Sequence, residues 1–198
     1  MNFDAPPNDP IPVFQDWFRD AQQTDLPNPN AMTVATVDPD GRPSARILLL
    51  KDLGEDGAVF YTNRESRKGR ALAVNPYVAL LFHWDPLDRQ VRIEGPVSQV
   101  SDEESDAYFA TRPRPSQIGA WASQQSEALA DRKTFDDAVA EVEARFEGRD
   151  VPRPPHWGGY RVALERIEFW QGHQYRLHDR MVYTPNGDGT WRTQRLYP

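Results

Sequence analysis

Ala31-Met32-Thr33-Val34-Ala35-Thr36-Val37 leads into Asp38-Pro39-Asp40-Gly41 and then into Pro43–Asp52, and the expected fold class follows from this pattern. The first segment is rich in β-branched residues, and the second has the composition of a turn. The third carries the apolar run Ile47-Leu48-Leu49-Leu50. Two β-type segments on either side of a turn predict an antiparallel hairpin.

Outward from this hairpin, the pattern predicts further strands and a few helices. Asp9-Pro10 has the form of an N-cap followed by proline at the first helical position, and apolar residues at helical spacing extend that helix to about Gln23. Further strands are predicted over Ala58–Thr62, Tyr77–Trp84, Arg89–Val100, Tyr160–Trp170, Met181–Thr184 and Thr190–Tyr197, with a hairpin turn at Asn186-Gly187-Asp188-Gly189. Helices are predicted over Ser66–Asn75, Ser101–Thr111 and Arg132–Phe146. This order predicts a mainly β barrel or sandwich with flanking helices and no internal domain boundary.

Several function classes are excluded by what the 198 residues lack. The chain has no cysteine, so disulfides, thiolate metal sites and cysteine nucleophiles are ruled out. Its four histidines are far from metal-ligand spacing, and no metal site is expected. No dinucleotide-binding glycine motif, phosphate-binding Walker loop or nucleophile elbow occurs. The N-terminus has no secretory pattern and no apolar run could cross a bilayer, so we expect a cytoplasmic protein without a membrane partner.

The charge is distributed unevenly along the chain. The net charge of −7 argues against a nucleic-acid partner. The window Arg42–Arg70 nevertheless contains seven cationic and four acidic side chains, so the rest of the chain carries the whole acidic excess. A local cationic patch in an acidic protein suits a small anion, although a solvated charged face would have the same composition.

Two segments in this window are candidate anion sites. Arg46 and Lys51 stand at the two ends of an apolar run, and on a strand they would point to opposite faces. Two strand-end charges reaching solvent would explain them equally well. Arg67-Lys68 follow Tyr61-Thr62 at the start of a predicted helix, where free N–H groups and the helix dipole favour phosphate.

Two later segments also group side chains that could bind anions or a ring. Tyr108, Arg112 and Ser116 bracket a predicted helix end and a proline-rigidified loop, where an anion site and a simple helix cap are both compatible with the pattern. Arg176, His178 and Arg180 would share one face of an extended segment. Three converging donors indicate an electron-rich ligand, and a surface Arg–Asp–Arg network is the alternative.

Together these segments resemble the pyridoxamine 5′-phosphate oxidase family. The resemblance covers roughly residues 28–198 and is most specific in Glu168-Phe169-Trp170-Gln171 followed by Arg176-Leu177-His178-Asp179-Arg180. It implies an FMN-binding split β-barrel, a single domain over residues 1–198, with an N-terminal segment and helix at 1–27 and C-terminal strands at 158–198 carrying the dimer-interface signature. It also implies a homodimer with FMN at the subunit interface.

By this resemblance, each candidate residue acquires an expected role. The FMN contacts would be Arg46-Ile47-Leu48-Leu49-Leu50-Lys51, Tyr61, Thr62, Arg67, Lys68, Gln90, Gln125, Ser126, Trp170 and Arg180. The substrate contacts would be Lys51, Tyr108, Arg112, Ser116, Arg176, Leu177 and His178, of which Arg176 and His178 would position the reacting carbon. The implied reaction oxidises pyridoxamine or pyridoxine 5′-phosphate to pyridoxal 5′-phosphate, with O₂ reoxidising FMN to give H₂O₂.

Two features depart from the family pattern. The N-terminus is acidic and proline-rich where many members have a basic, tyrosine-containing arm, and Asn28 stands where many have aspartate. Two other functions remain open: a sister flavin oxidase of the phenazine-biosynthesis type, and a carrier of flavin or pyridoxal phosphate without turnover. The pair Arg176 and His178 favours turnover, since a carrier needs only affinity.

Overall fold

The computed structural model, which describes residues 1–198, contains ten strands and five α-helices. The helices are α1 (Pro10–Gln22), α2 (Arg67–Val74), α3 (Asp102–Ala110), α4 (Arg114–Ala122) and α5 (Arg132–Arg145). The strands are β1 (Ala31–Val37), β2 (Pro43–Leu49), β3 (Asp52–Gly54), β4 (Gly57–Asn63), β5 (Tyr77–Trp84), β6 (Arg89–Gln99), β7 (Trp157–Val162), β8 (Arg166–Gln171), β9 (Asp179–Pro185) and β10 (Trp191–Leu196). Short 3₁₀ turns lie at Asp85–Leu87 and Gln174–Arg176.

All strand pairs are antiparallel, and the long strand β6 divides the sheet. The main path runs β10-β9-β8-β6-β5-β1-β2, while β7 pairs with both β6 and β4, and β3 pairs with β4. The first half of β6 pairs with β8 over Arg89–Glu94, and its end pairs with β7 over Val97–Gln99. Gly95 lies between the two halves, where an added Cβ would come within 1.8 Å of the Ala163 carbonyl oxygen. The absence of a side chain at Gly95 therefore allows the sheet to split there into a barrel.

The apolar core lies on the inner face of this sheet and is closed by α1. Alternate residues of β1 are buried, as a strand with one covered face requires. From α1, Trp17 contacts the ring of Phe169 edge-on at 5.2 Å between centroids, and Phe14 contacts Phe82 in the same way at 5.2 Å. A smaller cluster beneath α3, α4 and α5 contains Phe109, Ile118, Phe146, Val151 and Trp157.

Most of the expected elements are confirmed with their caps. The first hairpin pairs Ala31 with Leu49 through Val37 with Pro43. Asp9 caps α1 with Pro10 in the first turn, and Ser101 caps α3 by accepting from the backbone N–H of Glu104. The fold class predicted from the sequence, mainly β with flanking helices, is therefore confirmed. No helix has the length and apolar character needed to cross a membrane.

Two expectations about local structure were wrong. The segment after Arg112 is not the proline-rigidified loop expected, because Arg114–Ala122 forms α4 with Pro113 at its N-cap. Proline is tolerated in the first turn of a helix, where its missing N–H would have no partner, so Pro113 and Pro115 do not argue against a helix. The single strand expected over Tyr160–Trp170 is two strands, β7 and β8, which pair with different parts of the sheet.

Trp17 tests the contribution of α1 to the core. Its side chain is almost wholly buried, and Trp17→Ala would leave a large cavity against Phe169. We expect the free energy of unfolding in urea to fall by about 3–5 kcal/mol. Leu129→Ala, at a side chain that is 54% exposed, is the control and should change it by less than about 0.5 kcal/mol. Equal losses in both variants would contradict this account of the core.

Candidate active site

Lys68 lies at the centre of the first polar cluster. It occupies the first turn of α2, whose N-cap is Ser66, and its residue is only 6% exposed. Its Nζ donates to Thr62 Oγ1 (3.1 Å), Ser66 Oγ (3.1 Å) and Gln125 Oε1 (2.6 Å), and none of these partners is a carboxylate. Burial, with a further contribution from Arg46, lowers the pKa of Lys68 to about 8. A buried ammonium without an acidic partner is stabilised by an anionic ligand.

Arg46 and Arg67 flank this lysine and share one acidic residue. Arg46 donates to the Val34 carbonyl (3.1 Å), Thr36 Oγ1 (2.7 Å) and Ser44 Oγ (2.6 Å). Arg67, at the first position of α2, forms an ion pair with Asp38 in the β1–β2 turn, and this pair lowers the pKa of Asp38.

Three cations, Arg46, Arg67 and Lys68, therefore surround the N-terminus of α2 with a single carboxylate among them. The donor set and the helix terminus fit a phosphate. The structure brings together the predicted residues Arg46, Thr62, Lys68 and Gln125, while Ser126 is exposed beside them in a left-handed conformation (φ 77°).

The second cluster is built on a stack of aromatic rings. Tyr61 stacks on Tyr108 (4.1 Å between centroids), and both rings are nearly parallel to Trp157, which lies 5.4 Å from Tyr61 and 6.1 Å from Tyr108. The Arg112 guanidinium lies 4.7 Å from the Trp157 ring, and Lys51 Nζ lies 5.5 Å from the Tyr108 ring. Of the predicted substrate contacts, Lys51, Tyr108 and Arg112 therefore lie together in this cluster. Ser116 is exposed on the first turn of α4.

Arg112 has a buried donor without an acceptor in this second cluster. Its Nη1 is buried and has no hydrogen-bond partner, and burial lowers the pKa of the guanidinium. A buried charged donor without an acceptor is costly, and a ligand oxygen would relieve that cost. Both clusters include a residue of β4, Tyr61 in the second and the adjacent Thr62 in the first, and these two side chains point to opposite faces of the strand.

A third group lies on the outer face of the central sheet. Gln90, Trp170 and Arg180 are cross-strand partners on β6, β8 and β9 and form a single row. They line a pocket of about 210 Å³ together with Arg92, Glu168 and Pro198. The row offers an amide, a flat indole face and a guanidinium, which suits a planar polar ring.

The segment before β9 differs from the expected extended strand. Tyr175 (φ 57°) and Arg176 (φ 61°) are left-handed within the 3₁₀ turn Gln174–Arg176, and β9 begins only at Asp179. The expectation that Arg176, His178 and Arg180 alternate along one strand face was therefore wrong. Left-handed non-glycine residues are unfavourable and are found preferentially at functional sites. Arg176 and Leu177 are exposed at this turn.

His178 is held in one orientation at the end of this turn. Its Nδ1 accepts the backbone N–H of His173 (3.1 Å), and its ring lies 4.6 Å from the Trp170 ring. The neutral ring therefore carries its proton on Nε2. The His173 side chain is in turn 2.9 Å from Asp179, which pairs with Arg195. Arg195 also binds Asp4 at 2.6 Å, so the acidic N-terminal segment lies against β10.

Sequence reasoning missed three residues that complete these clusters. Asp38 was assigned only to a turn, and Trp157 and Glu168 were given no role. The sequence contains one signal for Glu168, since a carboxylate between Ile167 and Phe169 on a buried strand requires cationic neighbours. Trp157 and Asp38 contact their arginines across 45 and 29 residues of sequence, which no local pattern reveals.

The antiparallel split barrel and its cationic clusters fit a protein that binds small anionic molecules. Residues 18–146 match the family model described as pyridoxamine 5′-phosphate oxidase, and residues 157–198 match the pyridoxine 5′-phosphate oxidase C-terminal dimerisation region. The chain belongs to the pyridoxamine 5′-phosphate oxidase family.

Curated relatives of this chain are similar over nearly its whole length. The pyridoxine/pyridoxamine 5′-phosphate oxidase of Rubrobacter xylanophilus is 60% identical, covering 96% of this chain and 87% of the relative. That of Myxococcus xanthus is 58% identical, covering 97% and 93%.

Solved structures confirm the fold. PhzG from Burkholderia lata 383, in complex with tetrahydrophenazine-1-carboxylic acid, is 33% identical with a TM-score of 0.91, covering 99% of this chain and 96% of that one. A pyridoxamine 5′-phosphate oxidase-related, FMN binding protein from Nostoc punctiforme has a TM-score of 0.77 at 15% identity, covering 98% and 100%.

The lowered pKa of Lys68 gives a test of the first cluster. Because Lys68 loses its proton as pH rises through about 8, phosphate affinity at α2 should fall over the same range. At about pH 8.5, phosphate binding should take up protons as Lys68 becomes charged. Calorimetric titration of inorganic phosphate into protein freed of bound ligand, in two buffers of different ionisation enthalpy, measures this uptake. Lys68→Met should abolish it and Lys51→Met should not; uptake that persists in Lys68→Met would contradict the assignment.

Proposed function

We propose that this chain is an FMN-dependent oxidase that converts pyridoxamine 5′-phosphate or pyridoxine 5′-phosphate to pyridoxal 5′-phosphate. The observation that carries the proposal is the pair of adjacent anion sites on β4, one around buried Lys68 and one around Arg112 with its unpartnered Nη1. A phosphorylated cofactor and a phosphorylated substrate need one such site each. The high identity to curated oxidases of these two substrates supports the same assignment.

The first anion site and the sheet row would together hold FMN. Arg46, Arg67 and Lys68 would bind its phosphate, with Thr62, Gln125 and Ser126 near the ribityl chain. Gln90, Trp170 and Arg180 would contact the isoalloxazine ring, and the remaining predicted contacts are Ile47-Leu48-Leu49-Leu50, Lys51 and Tyr61. FMN supplies hydride acceptance and reoxidation by O₂ with release of H₂O₂.

The second anion site would hold the substrate phosphate. Lys51 and Arg112 supply charge, and Tyr108 and Ser116 supply hydroxyl donors. The aromatic stack of Tyr61, Tyr108 and Trp157 fixes the direction of both cations by cation–π contact.

The turn that carries Arg176, Leu177 and His178 would lie over the substrate ring. The backbone N–H of His173 leaves His178 with Nε2–H as its donor, and this N–H would bind a ring substituent of the substrate. Arg176 has an exposed guanidinium on a strained turn and would bind a second substituent. Both residues act by orientation, bringing the reacting carbon to the correct distance and angle.

We also propose that the active unit is a homodimer, with the FMN sites at its interface. The outer face of β2 exposes Ile47 (62%) and Leu49 (37%), and Leu177 is exposed next to the candidate site. Apolar side chains exposed around a polar site are typical of an interface. The match of residues 157–198 to a dimerisation region supports the same assembly.

A sister activity is the second candidate, because PhzG from Burkholderia lata shares the fold at 33% identity. Its bound molecule is a carboxylic acid without a phosphate. Here Lys51 and Arg112 offer two cations on an aromatic platform, which fits a phosphate better than a carboxylate. The identity to the curated pyridoxine/pyridoxamine 5′-phosphate oxidases is also much higher.

Steady-state assay of the purified protein tests the proposed reaction and separates it from a carrier. The protein should purify yellow, with about one FMN per chain. It should release H₂O₂ and aldehyde product in equal amounts with either phosphorylated substrate. A yellow protein that binds pyridoxamine 5′-phosphate without H₂O₂ release would instead be a carrier.

Removing a cation of the second anion site should separate substrate binding from FMN binding. In Arg112→Ala or Lys51→Ala, each lost charge-assisted bond should weaken substrate affinity by about tenfold to a hundredfold. FMN affinity should change much less. Titration of both ligands measures this; a loss of FMN affinity with substrate affinity intact would reverse the two sites.

Arg176 and His178 should affect turnover rather than FMN binding. Arg176→Ala and His178→Ala should stay yellow and dimeric, but their flavin should be reduced slowly by saturating substrate under anaerobic conditions. Arg176 should matter more, because its charge is present at every working pH. Stopped-flow absorbance measures the rate, and wild-type rates in both variants would show that these residues have no positioning role.

A further inference from the structure

Glu168 is a buried carboxylate that the proposed function does not use. It lies on β8, and its side chain is only 3% exposed although it points to the outer, polar face of the sheet. Its cross-strand partner on β6 is Arg92, and the next pair on the same face of the sheet is Gln90 with Trp170. Glu168 therefore lies next to the row that would contact the flavin ring, on the same face of the sheet.

The contacts of Glu168 are directed mainly at one arginine of that row. Glu168 Oε1 accepts from Arg180 Nε at 2.8 Å and lies 2.7 Å from Arg180 Nη2. The third guanidinium nitrogen, Nη1, donates to the Tyr197 carbonyl oxygen at 3.2 Å. All three nitrogens of Arg180 are thus held, and the plane of its guanidinium is fixed.

The other carboxylate oxygen is also surrounded by arginines. Glu168 Oε2 lies 3.4 Å from Arg166 Nη2 and 3.6 Å from Arg92 Nη1. Glu94 lies 2.5 Å from Arg92 Nη2 and 3.9 Å from Arg166 Nε, but it makes no contact with Arg180. The cluster contains three cations and two carboxylates, so it retains one positive charge beside the pocket lined by Gln90, Trp170 and Arg180.

We propose that Glu168 is a positioning residue for the flavin, acting by holding the Arg180 guanidinium in place at the pocket. The inference rests on the proposed function, because it takes Arg180 to be a flavin contact. A buried carboxylate costs free energy unless its partners are fixed, and a single arginine would neutralise it. The additional bonds from Arg166 and Arg92 fix the carboxylate, and the carboxylate then fixes Arg180.

The sign of a change in redox potential distinguishes positioning from a simple charge effect. A fixed cation at the flavin stabilises the negative charge of the reduced ring, so loss of Arg180 should lower the midpoint potential. Glu168→Gln removes a nearby negative charge, which alone would raise the potential. If Glu168 acts through Arg180, the freed guanidinium moves and the potential falls instead.

The experiment is a double-mutant cycle on the holoenzyme with FMN bound. We expect Arg180→Gln and Glu168→Gln each to lower the midpoint potential and to weaken FMN by about tenfold. In the double variant, FMN binding should be weaker than in Arg180→Gln alone by less than about twofold. Glu94→Gln removes the same charge from the same cluster and is the control; it should not lower the potential.

Three results would overturn the inference. A raised potential in Glu168→Gln, or additive effects in the double variant, would show that Glu168 does not act through Arg180 and would leave the proposed function intact. An unchanged potential and FMN affinity in Arg180→Gln would remove Arg180 from the flavin site, and with it this inference. If Glu168→Gln does not fold, Glu168→Asp keeps the charge, shortens the reach, and should still lower the potential.

Discussion

The alternation along β6, β8 and β9 determines both the core and the candidate site. Along β6 and β8, the side chains that face the core are apolar and those on the opposite face are mainly polar, as strand alternation requires. Phe169 packs into the core, and its neighbours Glu168 and Trp170 therefore face outward. A shift of one residue in register would exchange these two sets, so the stability of the core also fixes the position of the row formed by Gln90, Trp170 and Arg180.

Both cationic clusters contain a buried cationic group without an acidic partner. Although the chain is acidic overall, Lys68 is buried without a carboxylate and Arg112 has a buried N–H without an acceptor. Each arrangement costs stability in the free protein, and a bound anion would recover that cost. The neighbouring residues Tyr61 and Thr62 carry one cluster each, so the single strand β4 connects the two clusters through its opposite faces.

Local sequence patterns predicted the caps of α1 and α3 and the first hairpin, because these depend on neighbouring residues. The family resemblance named several of the side chains that the structure brings together in the two cationic clusters. Local patterns did not predict α4, because Pro113 and Pro115 suggest a loop. Proline is nevertheless tolerated at the start of a helix, where these two residues stand. The left-handed turn at Tyr175 and Arg176 was missed because it contains no glycine to signal it. The contact of Trp157 with Arg112 depends on how α3 packs against β7, which only the tertiary structure shows.

The central claim is that one anion site serves the cofactor and the other serves the substrate phosphate. Anaerobic reduction of the bound flavin, followed by absorbance, tests it most directly when pyridoxamine 5′-phosphate is compared with pyridoxamine. The account predicts complete bleaching by the phosphorylated compound at low concentration, and a requirement for at least about a hundredfold more of the unphosphorylated one. Equal bleaching by both compounds would contradict it, because the cluster of Lys51 and Arg112 would then contribute nothing to substrate recognition.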